Sequence, residues 1–123
     1  MKIKKYDDLV VWEKSMGLVR DIYLETSSIP REEKYGLAGQ MRRAAVSVVS
    51  NIAEGQGRHS TSEFLRHLSI AYGSLIELET QIRICEMTGF VKAPAATVLR
   101  SKTSEIGRLL NGLRRSLKPT PSI

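Results

Sequence analysis

The stretch FLRHLSIAYGSLIELETQIRIC, Phe64 to Cys85, decides the fold class. Phe64, Leu68, Ala71, Leu75, Leu78, Ile82 and Cys85 recur at alternating spacings of four and three, which lines them along one stripe of a helix. No part of the chain alternates apolar and polar residues as a half-buried strand would. Just upstream, Ser60 and Glu63 have the spacing of a capping box, and just downstream Gly89 suits a left-handed cap, so the spacing predicts a helix over about residues 61–88.

Working outward, the other segments read the same way. Leu9, Trp12, Met16, Val19 and Tyr23 follow a three-four spacing, with Leu18 and Ile22 widening the stripe, and predict a first helix over about residues 7–27. Pro30 marks a break and suits the first turn of a second helix, about residues 31–55, whose positive end Glu32 and Glu33 would complement. Pro94 opens a fourth helix, about residues 94–117, with Leu99, Ile106, Leu110, Leu113 and Leu117 on one side. The expectation is an all-α protein: one antiparallel up-and-down four-helix bundle over residues 1–118, with residues 119–123 as a loose tail.

Composition agrees with one small domain, since 123 residues and 41% hydrophobic content support a single core. No apolar run approaches the roughly 20 residues that span a bilayer, and the acidic residues near the start argue against a secretory signal. We therefore expect a cytoplasmic protein with no membrane partner. One cysteine, Cys85, excludes an intrachain disulfide, and two histidines without nearby carboxylates argue against a metal site. No cofactor is expected.

The second segment is unusual. At 100° per residue, Gln40, Arg43, Ser47, Ser50, Asn51, Glu54 and Arg58 fall in one sector of about 100°, and apolar residues fill most of the rest. Val46, Val49 and Ala53 lie beyond what one core would cover, which points to a subunit interface. Asn51 and Glu54 are placed to bond each other or to cross to another helix. Gly55 and Gly57 read as a helix terminator and a tight turn. The loop GQG-Arg58-His59 before a helix N-terminus has a phosphate-cradling look, but it lacks the strand and the glycine spacing of known nucleotide loops.

Candidate chemistry is sparse. Glu79 lies beside the core stripe of the third segment, where a carboxylate needs a cation, and Arg42 or Arg43, of the same or a neighbouring subunit, is the expected partner. Cys85 lies within that stripe and reads as a small buried hydrophobe, whereas His59 and His67 read as surface residues. With no second acid, metal or poised histidine in reach, no catalytic residue is assigned and no enzyme is expected. The net charge of +6 is placed unevenly: from Met1 to Gly89 there are 12 bases and 12 acids, and from Phe90 onward seven bases against Glu105 alone. Arg100, Arg108, Arg114, Arg115 and Lys118 share one flank about 120° wide of the fourth helix, which suits backbone phosphates of RNA or DNA. Arg58 is a candidate additional contact.

The segments YDDLVVWEKSMGLVRDIY and EKYGLAGQMRRAAVSVVSNIAEGQGRHSTSEFLRHLSIAYGSLIELETQI closely resemble the bacterial four-helix-bundle proteins named for intervening sequences in 23S rRNA genes. Tyr35-Gly36-Leu37, Gln40 with Arg42-Arg43-Ala44, Asn51-Ile52-Ala53-Glu54-Gly55, and Gly73-Ser74 followed by Glu77 and Glu79 carry the resemblance, which covers about residues 6–89. It implies a small non-enzymatic bundle assembled as a ring-like homopentamer. Fold relatives, the accessory variability proteins of diversity-generating retroelements, bind nucleic acid and a reverse transcriptase, so a reverse transcriptase or other partner protein is an implied partner class. The leading expectation is an oligomeric nucleic-acid-binding accessory protein. The alternative is a protein-interaction scaffold whose basic face is merely solvated.

Overall fold

The computed structural model describes residues 5–33 and 36–118. Four helices account for most of them: α1 (Val10–Thr26), α2 (Leu37–Gly57), α3 (Thr61–Thr88) and α4 (Ala93–Leu117), with single 3-10 turns at Tyr6–Asp8 and Arg31–Glu33. No strand occurs among the described residues. Sequential helices pack side by side and α4 closes back onto α1, while the backbones of the diagonal pairs, α1 with α3 and α2 with α4, stay further apart. The cross-section is therefore a four-cornered bundle around one core. No helix among the described residues is long and apolar enough to cross a membrane.

The expected boundaries shift in three places. Helix α1 begins at Val10 rather than residue 7, because Tyr6–Asp8 form a 3-10 turn and Leu9 is extended at φ −86° and ψ 127°. Arg31–Glu33 is a separate turn, and α2 begins at Leu37, whose N–H donates to Glu33 Oε2 at 3.3 Å. Gly55 does not end α2, which continues to Gly57. Residues 1–4, 34–35 and the expected tail 119–123 lie outside the described residues, as does Tyr35 of the family motif.

The caps of α3 form as expected. Ser60 Oγ accepts from the Glu63 N–H at 3.4 Å, although the Glu63 carboxylate turns to Arg66 at 3.3 Å instead of completing the box. Gly89 takes φ 79°, and its N–H returns to Cys85 and Glu86 carbonyls. A side chain at Gly89 would be strained in that left-handed conformation.

The stripe of α1 is rotated from the expected one. Val11, Ser15, Leu18, Ile22 and Thr26 are buried, whereas Met16 and Tyr23 are each 44% exposed. Two polar residues occupy the core line because they are small, and Thr26 Oγ1 donates to the Ile22 carbonyl at 2.6 Å, which removes the cost of burying it. Reading only apolar letters misses such positions.

The core is built from Leu18, Ile22, Met41, Val48, Ile52, Leu68, Leu75, Leu78, Ile82, Ile106 and Leu110, all essentially inaccessible to solvent. Each such side chain contributes about 1.5–3 kcal/mol through burial. Cys85 lies among them, its Sγ 3.4 Å from Met41 Sδ. Burial, with a smaller contribution from the Glu33 carboxylate, pushes its thiol up to about 11. The thiolate fraction at pH 8 is then on the order of one in a thousand. Cys85 should resist iodoacetamide in the native protein and react fully in denaturant, as mass spectrometry of the alkylated product would show.

The seam between α2 and α3 is the most extensive among the described residues. A Cβ at Gly55 would lie 2.6 Å from His67 Cβ and 3.1 Å from the Phe64 ring, so this glycine is a contact surface rather than a terminator. His67 is correspondingly not a surface residue: it is 4% exposed. Its Nδ1 lies 3.0 Å from Asn51 Oδ1 and donates to it, since Asn51 Nδ2 already donates to the Ser47 carbonyl and hydroxyl at 2.9 and 3.2 Å. Ser47 Oγ and Ser74 Oγ meet at 2.8 Å. Asn51 thus crosses to another helix, while Glu54 turns to Arg58. His67→Ala should cost about 1–3 kcal/mol, because it strands the Asn51 carbonyl oxygen at the seam; a thermal melt measures it.

Candidate nucleic-acid interface

Helix α4 starts where Lys92 is extended and Pro94 occupies the first turn, and it buries Ala96, Leu99, Thr103, Ile106, Leu110 and Leu113 against the bundle. The basic residues therefore fall outside that stripe, and tertiary contacts sort them into three groups. Arg100 Nη2 meets Glu86 of α3 at 3.2 Å, with both side chains about 30% exposed. Lys102 bonds Asp21 of α1, which Arg20 also approaches at 3.8 Å. These two cations are matched by acids of neighbouring helices. Arg114 is half-occupied: Nη1 donates to Asn111 Oδ1 at 3.2 Å and its guanidinium lies 5.7 Å above the Tyr72 ring.

Arg108, Arg115 and Lys118 differ. All three are exposed and have no ion-pair or hydrogen-bond partner among the described residues. Arg114 and Arg115 also sit in the last turn of α4, where they complement the negative end of the helix dipole. Leu117 packs with Gly55, Gln56, His59, Ser60, Thr61 and Phe64 around a recess of about 250 Å³, so the end of α4 meets the connection between α2 and α3. That connection carries Arg58, whose Nη2 bonds Glu54 Oε1 at 2.7 Å, and His59, at φ 58°. The hydrogen bond to Arg58 holds the Glu54 carboxyl below its usual value and raises the guanidinium. Arg58 therefore reaches a phosphate only by giving up, or sharing, that bond.

The expected interface residues are likewise sorted. Glu79 does not meet Arg42 or Arg43 within the chain; Arg83, one turn on, approaches it at 3.6 Å. Arg42 instead closes the C-terminal end of α1: Nε donates to Thr26 Oγ1 at 2.9 Å, Nη2 to the Tyr23 carbonyl at 3.3 Å, and the guanidinium lies 4.6 Å over the Tyr23 ring. The Thr26 hydroxyl, the Tyr23 carbonyl and the Tyr23 ring take the guanidinium at the end of α1, leaving Glu79 to Arg83. Arg43 is exposed and unpartnered among the described residues. Because the Glu79 pair is solvent-exposed, Glu79→Ala should cost under about 1 kcal/mol in a thermal melt.

Val49 is 8% exposed and so already covered within one chain, Ala53 is half-buried and Val46 is 39% exposed. At 100° per residue Val46 and Ala53 lie on the same flank of α2 as Arg42, which turns toward α1. On α1, Met16 and Tyr23 share the flank under Arg42. Met16, Tyr23, Val46 and Ala53 thus form one outward apolar strip along the α1–α2 side. Sequence periodicity found Val46 and Ala53 but assigned Met16 and Tyr23 to the core, so half of this strip was missed. The half-buried Tyr72–Arg114 stack was missed too, because its residues lie on different helices.

The chain matches the family model described as 23S rRNA-intervening sequence protein over residues 7–112. It belongs to that family. Among solved structures, it is similar to the crystal structure of a protein of unknown function from the S23 ribosomal protein family of Bacteroides thetaiotaomicron, at 23% identity and a TM-score of 0.78. The likeness covers 86% of this chain and 96% of that one, and it shows the fold. No curated protein matches the chain. This member of the intervening-sequence family puts three residues of the Asn51–Gly55 motif to structural use: Ile52 fills the core, Asn51 crosses to His67, and Gly55 admits α3.

Proposed function

We propose that this chain is a non-enzymatic, oligomeric accessory protein of the bacterial cytoplasm that binds the backbone of RNA or DNA without strong sequence preference. The observation that carries this reading is the row Arg108, Arg115 and Lys118: exposed cations left over after Arg100 and Lys102 have been matched by Glu86 and Asp21. Arg114, beside them over Tyr72, and Arg58, on the connection between α2 and α3, extend the contact surface.

The bundle is read as antiparallel and up-and-down. Supporting this, contacts between α2 and α3 link Ser47 to Ser74 and Asn51 to His67, and those between α1 and α4 link Lys14 to Glu105 and Asp21 to Lys102. Numbers rise along one helix as they fall along the other. Assembly is read as a homo-oligomer, with a pentamer favoured by the family resemblance, and the strip Met16, Tyr23, Val46 and Ala53 is the surface offered for it. Val46→Glu should shift light scattering of the protein at micromolar concentration to smaller species with helicity unchanged. Val49→Glu is the poorer probe, because Val49 is buried within one chain and its replacement would disturb the fold too. A monomeric wild type would remove the assembly reading.

A second reading is a scaffold that docks a partner protein, a reverse transcriptase among the classes implied by fold relatives. Ile70, Ile76, Ile84 and Met87 favour it, being exposed along α3, with Met87 at 79%. Gel-shift titration at low salt separates the two readings. Retention of mixed-sequence RNA and DNA, weakening linearly on a log-log plot against salt, supports the first, and no retention transfers the function to the second.

A further inference from the structure

Resting on the nucleic-acid reading above, we propose that the free flank of α4 takes a double-stranded helix, laid across the groove between its two phosphate rows, rather than a single strand. Arg108 and Arg115 are seven residues apart, so they lie about 10.5 Å apart along the axis and within about 20° around it. Lys118, the extended cap residue just past the last turn, adds a third cation beyond Arg115. The row cannot bend, because the opposite side of the same turns, Ile106, Leu110 and Leu113, is locked in the core.

A rigid row of this length matches a rigid array of phosphates. The rows of a duplex face each other across grooves about 12 and 6 Å wide, and two long arginine side chains at about 10.5 Å can each reach one row of the wider groove. The helix itself stays outside the groove, since its neighbours α1 and α3 flank it. Single-strand binders instead combine a curved basic channel with aromatic faces on which bases stack. Helix α4 contains no aromatic residue. Tyr72, the aromatic that α3 places beside this flank, is half-buried and already covered by Arg114 at 5.7 Å. With backbone contacts and no base stacking, affinity depends on phosphate geometry, which a duplex holds in place and a single strand must be ordered to supply.

The test is fluorescence anisotropy with a mixed-sequence duplex of about 20 base pairs and with single strands of equal phosphate number, titrated between about 50 and 200 mM salt. The duplex should bind at least about tenfold tighter, with a log-log salt slope of about −2.7 per engaged subunit for three phosphates. Arg108→Ala and Arg115→Ala should each flatten that slope by about one. Both positions are exposed, so circular dichroism should show unchanged folding. Equal or tighter binding of the single strand would overturn the duplex assignment while leaving the nucleic-acid reading in place. Absence of binding to either probe at low salt would remove that reading itself. Duplex binding with a slope untouched by both variants would place the contact elsewhere and overturn the proposal.

Discussion

Arg108→Glu combined with Arg115→Glu is expected to reduce nucleic-acid affinity at least about a hundredfold at low salt, while lowering the melting temperature by no more than about 4 °C and leaving the oligomeric state unchanged. Neither side chain has an ion-pair or hydrogen-bond partner among the described residues to lose, so the fold's stake in them is the favourable placement of Arg115 at the negative end of the α4 dipole. Each reversal removes one phosphate contact and places a carboxylate against the same backbone, and both terms act on counterion release. In the proposed homo-oligomer the loss would repeat at every copy and erode avidity as well, so the measured drop would then exceed that for one subunit. The matched control is Arg100→Ala with Glu86→Ala, which removes a cation of the same flank that already has a partner 3.2 Å away. It should change affinity little and stability by under about 1 kcal/mol, since the pair is about 30% exposed. Gel-shift titration of the two variants side by side decides the matter, and equal losses would show that the division into matched and free cations has no functional meaning.

Gly55→Leu should be the most destabilising single change in the α2–α3 seam, and Gly55→Ala should already cost about 2 kcal/mol. A Cβ there meets His67 Cβ at 2.6 Å, and that atom is anchored to its backbone and cannot swing aside. Overpacking of this kind costs about 3 kcal/mol, against which alanine recovers about 1 through its better helix propensity. For a domain of this size the net loss lowers the melting temperature by roughly 8 °C. Gly73→Ala is the contrast, because a Cβ there has open space on all sides within one chain. Stabilisation by up to about 1 kcal/mol is expected at that position. Differential scanning calorimetry would give both values, and a neutral Gly55→Ala would show that the two helices can part without loss.

The sequence alone was enough for the all-α class, the four helices, the capping serine of α3, the left-handed Gly89 and the one-sided distribution of charge. These follow from local rules: a helical period, a cap and a glycine act over one or two turns, and each is written in neighbouring letters. The candidate basic flank was equally legible, since five residues of one helix share a side whatever surrounds them.

Tertiary structure decided which of those letters were free. Arg100 and Arg108 fall about 80° apart within one basic flank on a helical wheel, and it is the arrival of Glu86 beside Arg100 that separates a structural cation from an available one. The same holds for Glu79, expected against Arg42 or Arg43 and found beside Arg83, while Arg42 closes the end of α1. His67, Thr26 and Ser15 look polar and exposed in sequence, yet all three are buried. Met16 and Tyr23 look like core and face outward. The reason is common to all of them: periodicity states which residues share a face, but the rotation of that face relative to its neighbours is set by packing between helices. At Gly55, where only hydrogen stands between α2 and α3, that packing is closest.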